Sequence, residues 1–347
     1  PFFANLKKNI DNVKLRLSYG SLGNQQVGYY DYIQTINTNG TMNYIFGDQK
    51  KGSYASVSDP NSADLTWETV STWNVGLDLG FLNNRLNLTA DAYVRDTKGM
   101  QTSGKKLPGA YGANEPKQNA ANLRTKGWEL MLTWNDAFKL ANKPFRYNLS
   151  VGLADNTSEI TKFDNPSKIL SDYYVGQKLG DIWGYVVDGL FRTDEEAANY
   201  NVDQTAVNFV INTAQVNPGL HAGDMKFVDL DGDHTISSGS NTADDPGDRK
   251  IIGNSLPRYT YSIQGGFDWY GFDFSIYLQG VGHQDWYPGT NSVFFWGPYA
   301  RPYSSFIPRD FLSQVWSPEN PDAYFPRPIG YLALGNNRSL GVVNDRY

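Results

Sequence analysis

Strict two-residue alternation, repeated in segments of about nine to eleven residues, most limits what this chain can fold into, because it fits strands with one apolar face. In residues 144–153 the apolar phase is Phe145, Tyr147, Leu149, Val151 and Leu153, and the opposite phase is Arg146, Asn148, Ser150 and Gly152. The same pattern predicts strands over 13–19, 73–81, 86–95, 128–135, 259–269 and 272–280. Trp73, Val75, Leu77, Leu79 and Phe81 oppose Asn74, Gly76, Asp78 and Gly80; Phe272, Phe274, Ile276 and Leu278 oppose Asp273, Ser275, Tyr277 and Gln279. No apolar-phase position in these segments carries a charge.

A soluble β-sandwich also hides one face of each strand, so alternation alone leaves two architectures open. The connections separate them. Segments 73–81 and 86–95 are joined by Leu82, Asn83, Asn84 and Arg85, and segments 259–269 and 272–280 by Tyr270 and Gly271, while a short stretch joins 128–135 to 144–153. The intervening connections, 20–64, 96–122, 155–257 and 282 to about 330, are long. Short turns on one rim and long loops on the other predict an antiparallel transmembrane β-barrel. Aromatic residues support it: Phe81, Trp134, Phe145, Tyr147, Phe267, Trp269, Phe272 and Phe274 lie at the short-turn ends, and Tyr19, Trp128, Tyr259 and Tyr261 near the long-loop ends. Amphipathic rings at both ends of an apolar band match the two interfaces of a bilayer.

Composition narrows the partners. A net charge of -6 leaves no basic stripe to neutralise phosphates, which argues against nucleic acid. The absence of Cys excludes a disulfide scaffold, a thiolate metal site and a Cys nucleophile. No run of eighteen apolar residues is present, so membrane crossing would use strands rather than helices.

Within the long connection, Asp229, Asp231 and Asp233 stand at positions 1, 3 and 5 of a calcium-loop pattern, with the Thr235 carbonyl at position 7 and Ile236 at the apolar position 8. Position 6 is His234 instead of Gly, and position 12 is Ser240, so the bidentate acid must come from Asp244, Asp245 or Asp248. Asp229, Asp231, Asp233, Thr235 and Asp248 form the candidate calcium set; a solvated acidic turn is the other reading. The segment 283–306 is rich in aromatics, and Trp286, Tyr287, Phe294, Phe295, Trp296 and Tyr299 could meet a partner or ligand or pack on one another. Thr193 to Glu196 reads as a capping box opening a short helix. His221, His234 and His283 have no catalytic or metal spacing, so no catalytic residue is assigned and the chain reads as a non-enzyme.

The stretches LRLSYGSLGNQQVGYYDY at 15–32, LTWETVSTWNVGLDLGFLNNRLNLTADAYVRDTKGM at 65–100, NLRTKGWELMLTWN at 122–135, YYVGQKLGDIWGYVVDGLFRTDEE at 173–196, AGDMKFVDLDGDHTISS at 222–238 and DRKIIGNSLPRYTYSIQGGFDWYGFDFSIYLQGVG at 248–282 resemble, in order and spacing, the barrel of SusC/RagA-type TonB-dependent transporters. The resemblance implies an outer-membrane importer of glycans or peptides, energised by TonB and capped by a SusD-like surface lipoprotein, with lipid around the barrel. It implies that residues 1–347 are part of one barrel domain of roughly eight to ten strands, with 155–257 a large extracellular loop. It further implies a C-terminal part of a larger protein, the plug domain, TonB box and closing strands lying outside this sequence. A passive porin and a soluble or surface-attached glycan-binding β-protein are the competing functions.

Overall fold

The structure is a computed structural model that describes residues 10–24, 33–45, 47, 51–62, 65–103, 108–207, 219–289, 295, 299, 307–328 and 342–347. Its strands in chain order are β1 (Ile10–Asn24), β2 (Ile36–Ile45), β3 (Lys51–Val57), β4 (Glu68–Phe81), β5 (Leu86–Ser103), β6 (Lys117–Leu140), β7 (Lys143–Lys162), β8 (Asp181–Tyr185), β9 (Val187–Leu190), β10 (Met225–Phe227), β11 (Arg249–Asn254), β12 (Arg258–Trp269) and β13 (Phe272–His283). All seven predicted segments form strands of one antiparallel sheet, ordered β1-β4-β5-β6-β7-β12-β13. Seven strands in that sheet, rather than eight to ten, are found among the described residues.

The short connections are tight for a stereochemical reason. Ala141 and Asn142 between β6 and β7 have φ of 50° and 60°, and Tyr270 and Gly271 between β12 and β13 have 51° and 87°. Positive φ at both central residues is the twist that matches two-residue hairpins to right-twisted strands. At the other rim the strands outrun their expected ends. β5 continues to Ser103, β6 starts at Lys117, and β7 runs to Lys162, so much of 96–122 and the start of 155–257 are strand rather than loop. The apolar contrast stops there, but backbone pairing of β5 with β6 continues from Val94–Lys126 to Ser103–Lys117. Within the first long connection, β2 and β3 form a separate hairpin.

The apolar face of the sheet stays open. Leu15, Leu17, Trp73, Val75, Leu132, Leu149, Val151, Leu153, Phe274, Ile276 and Leu278 are all exposed. A water-soluble sandwich would bury such a row, since each large apolar side chain left in water forgoes about 1.5–3 kcal/mol.

By its internal contacts the chain divides into two compact units. The first holds residues 1–166, 173–179 and 258–283, including the sheet. The second holds 167–172, 180–257 and 284–347 and has a hydrophobic core of its own, built from Tyr185, Leu190, Val207, Met225, Phe227, Ile236, Tyr299, Phe311 and Val315. Here β8 pairs with β11 and β9 with β10. The helix α1 (Asp194–Ala198) starts at the predicted capping box: Thr193 Oγ1 accepts from Glu196 N at 3.1 Å, and Glu196 Oε2 accepts from Arg192 N at 2.7 Å.

Candidate functional site

The polar face of the sheet is built by the second phase of each strand, and its charges are placed by register. Arg16 on β1 stands opposite Gly76 on β4, which stands opposite Asp91 on β5. The Arg16 guanidinium donates to both oxygens of Asp78 at 3.0 Å and to both oxygens of Asp91 at 2.9 and 2.7 Å. It lies over Gly76, where an added Cβ would stand 2.6 Å from Arg16 Cζ and 2.5 Å from Asp91 Oδ1. Three strands are thus pinned through one planar fork. Sequence reasoning left this triad out, although its signal was present: one cation and two carboxylates on the polar phase of three successive segments. Farther along, Thr133 and Ser150 hydroxyls lie 3.2 Å apart across β6 and β7. Ser262, Gln264, Ser275, Tyr277 and Gln279 continue a hydroxyl- and amide-bearing surface on β12 and β13. Such a face suits water and polar solutes.

The apolar face carries aromatic bands at both ends. Phe145, Phe267 and Phe274 stack at 5.4 Å intervals across β7, β12 and β13, Phe138 joins them 5.0 Å from Phe145, and Trp134 Nε1 donates to the Tyr147 hydroxyl at 3.1 Å. At the long-connection end Tyr19 and Trp73 lie 4.6 Å apart. Between the bands, Leu149 and Ile276 come within ordinary contact of the space above Gly265.

The acidic loop folds through its own carboxylates. Asp229 accepts from Gly232 N at 2.7 Å and His234 N at 2.9 Å, Asp231 from Asp233 N at 3.1 Å, and Asp233 from Thr235 N at 2.7 Å. His234 has φ of 64°, the left-handed conformation that a glycine supplies at position 6 of a calcium loop, and Ile236 is fully buried in the core. Asp248 is wholly buried and accepts from Leu230 N and Ser237 N, both at 2.7 Å. Asp229, Asp231 and Asp248 each bring an oxygen within 4.8 Å of the others, a spacing that one hard cation could bridge. Of the three more distant acids, Asp248 is the one that stands near Asp229 and Asp231. Asp233 lies outside this trio and accepts from the Thr235 N–H, Asp244 pairs with Lys168 at 2.7 Å, and Asp245 accepts from Ser240 N at 3.0 Å.

Electrostatics agree with that arrangement. Burial pushes the Asp229 carboxyl up, but the His234 and Gly232 N–H groups outweigh it and hold its pKa below the ordinary value. For Asp231 the Asp233 N–H pulls down, while burial and the carboxylates of Asp248, Asp233 and Asp229 prevail and raise it.

The aromatic segment divides sharply. Trp286 is 68% exposed, whereas Tyr299 is 3% exposed and donates its hydroxyl to the Pro326 carbonyl at 2.6 Å. Tyr287 donates to the Val342 carbonyl at 3.1 Å, and burial pushes its pKa up to about 12. Phe295 packs against Phe325 and Tyr347 at 5.7 and 6.3 Å. Phe294 and Trp296 lie outside the described residues. Packing within the second unit thus occupies Tyr287, Phe295 and Tyr299, while Trp286, edge-on to Phe295 at 6.2 Å, stays largely exposed.

The family profile described as TonB dependent receptor-like, beta-barrel, matches residues 4–306. Among curated relatives, the TonB-dependent receptor SusC of Bacteroides thetaiotaomicron is 31% identical over 282 residues, covering 78% of this chain and 25% of its own length. The TonB-dependent receptor P39 of Formosa agariphila is 28% identical over 290 residues, covering 77% of this chain and 26% of its own length. The solved structure of the RagAB peptide importer in the open-open state superposes with a TM-score of 0.57 at 20% identity, covering 80% of this chain and 27% of that one. The chain thus spans about a quarter of the length of these relatives.

Proposed function

This chain belongs to the TonB dependent receptor-like β-barrel family, and from that premise we propose that it supplies part of the wall of an outer-membrane importer that takes up a nutrient with energy delivered through TonB. The observation that carries the reading is the one-layer antiparallel sheet with an exposed apolar face, aromatic bands at both ends and a polar face organised by the Arg16 fork. A sheet with those two surfaces suits lipid outside and a hydrated channel inside. Closure with further strands is required, because an open edge in hydrocarbon leaves backbone groups unpaired.

The cargo proposed is a glycan or a peptide. The likeness to the RagAB peptide importer supports a peptide, and a polar face rich in hydroxyl, amide and Tyr groups suits either cargo. Energised import predicts that uptake by cells carrying the full-length protein collapses when TonB is removed, whereas uptake that persists at its original rate would favour a passive porin.

The long connections, and with them the second unit's segments, are proposed to open at the cell surface and meet a SusD-like lipoprotein, with Trp286 an exposed aromatic available to it. Both 163–257 and the chain after His283 leave the sheet at the end opposite its two-residue turns. The expected result is that a protease or a membrane-impermeant label added to intact cells reaches this region. Labelling that requires outer-membrane permeabilisation would reverse the topology.

Asp229, Asp231 and Asp248 are proposed to hold a structural calcium ion. The fit is chemical: convergent carboxylates repel one another, burial together with that repulsion raises Asp231, and a hard cation relieves the repulsion. Calorimetric titration of the full-length protein with calcium is expected to give a weak site, with a dissociation constant of about 10⁻⁴ to 10⁻³ M as for extracellular modules. Asp231→Ala should remove it. A raised carboxylate pKa means protons compete, so affinity should fall as pH drops through that value. Equal heats for wild type and variant would remove the site.

A further inference from the structure

Register sets three cations of the polar face against carboxylates: Arg16 is taken up by Asp78 and Asp91, Lys14 stands opposite Asp78, and Arg146 stands opposite Asp268. Arg95 on β5 is placed otherwise. Its cross-strand partners are Thr72 on β4 and Thr125 on β6, both hydroxyl-bearing, and among the described residues it makes no ion pair although it is exposed. The guanidinium lies instead over the Tyr93 ring, 5.6 Å from its centroid, a contact with the ring face that leaves the in-plane N–H groups able to donate. Tyr93 is in turn laid across Gly127 on β6, where an added Cβ would stand 2.5 Å from both the Tyr93 Cζ and its hydroxyl oxygen. Gly127 makes room for the ring, and the ring places the guanidinium.

We infer that Arg95, held by Tyr93 on Gly127, is an anion-binding residue for cargo, and that the cargo it selects is an oligosaccharide bearing carboxylates. A guanidinium matches a carboxylate through two parallel hydrogen bonds, and one left unpaired on a hydrated face has that position open. The surroundings decide between a sugar acid and an acidic peptide. The row through Arg95 carries Thr72, Thr125 and Ser158, the last two with hydroxyls 2.8 Å apart, and the row through Tyr93 carries Ser18, Asn74 and Asn156. All six bear a hydroxyl or an amide, the groups that pair with the hydroxyls of a sugar ring. Neither row, from β1 to β7, holds Val, Leu, Ile or Met against which the side chains of a peptide could pack.

The inference rests on the reading of the polar face as the wall of an import channel, and it narrows the cargo of that reading to acidic glycans. Its test uses the full-length protein, purified in detergent and examined by native mass spectrometry. The probes are a pool of short oligouronides of mixed linkage, the same pool with its carboxyls reduced to alcohols, and oligoglutamate of matched length. Wild type is expected to retain the oligouronides about tenfold or more over the reduced pool, the size of a charge-assisted bidentate contact. Arg95→Gln should abolish that preference, and Arg95→Lys should keep part of it, because an ammonium holds the charge without the fork. Gly127→Ala should weaken it by displacing Tyr93. Lys14→Gln, on the same face opposite Asp78, should leave it unchanged. Equal preference in wild type and Arg95→Gln overturns the inference, as does a wild type that retains both pools alike or takes oligoglutamate over oligouronides. The dependence of uptake on TonB is read separately in cells, so failure of the anion site leaves the transport reading standing.

Discussion

Leu149→Arg and Ile276→Arg in the full-length protein should each sharply reduce folded receptor in the outer membrane, while Ser150→Lys and Ser275→Lys, one residue away, should assemble at near-normal yield. Leu149 and Ile276 share a row with Gly265 between them, in the middle of the apolar phase of β7 and β13. An Arg facing the bilayer midplane costs about 2–4 kcal/mol, and the cost falls toward the interfaces, so the central row is where the effect is greatest. Ser150 and Ser275 point to the opposite face, where a charge stays hydrated. Heat-modifiable gel mobility of outer-membrane fractions reads the folded yield; equal yields for the Arg and Lys variants would mean that the two faces are misassigned.

The second large effect is expected at Gly76. A side chain there meets the Arg16 guanidinium and Asp91 at once, so Gly76→Val must either expel Arg16 from its fork or separate β4 from its neighbours. Overpacking of this kind costs about 1–3 kcal/mol before any loss of the ion pairs. The variant should unfold at lower temperature than wild type. Arg16→Lys should show an intermediate loss, because an ammonium cannot reproduce two planar bidentate contacts. An unchanged melting profile for Gly76→Val would show that the fork does not hold these strands together.

The sheet was legible because a lipid-facing strand must alternate without exception, and charge-free apolar phases such as 145–153 leave a strong trace. Strand ends were not legible for the converse reason. Beyond Val94 and Trp128 the outward positions become Asp96, Lys98, Arg124 and Lys126, so both faces read as polar while pairing continues. The second unit left even less trace. Its core joins Leu190 to Phe311 and Val315 across more than a hundred residues, and its strands of three to six residues are too short to show a period.

The acidic loop was partly readable. Asp229 and Asp231 follow from the loop pattern, but the side chain that completes the cluster, Asp248, is brought in by the hydrogen bonds it accepts from Leu230 and Ser237. Asp233 fits the spacing as well, and it accepts from the Thr235 N–H, a local bond that spacing does not show. The aromatic segment shows the same limit: composition marks Trp286 and Tyr299 alike, and tertiary packing separates the exposed indole from the buried phenol.

The central claim is that one face of this sheet meets lipid and the other meets water; the sheet carries no Cys, so single cysteines can be placed along it once any elsewhere in the full-length protein are replaced. Nitroxides placed in turn at residues 147–153 of β7 and 261–267 of β12, in full-length protein reconstituted in bilayers, report exposure to apolar oxygen and to a water-soluble nickel chelate. The account predicts a period of two: Tyr147, Leu149, Val151 and Leu153 oxygen-accessible, Asn148, Ser150 and Gly152 chelate-accessible, and the same phase continued at Tyr261, Ile263, Gly265 and Phe267 of β12. Chelate access at both phases, or no alternation, would contradict it.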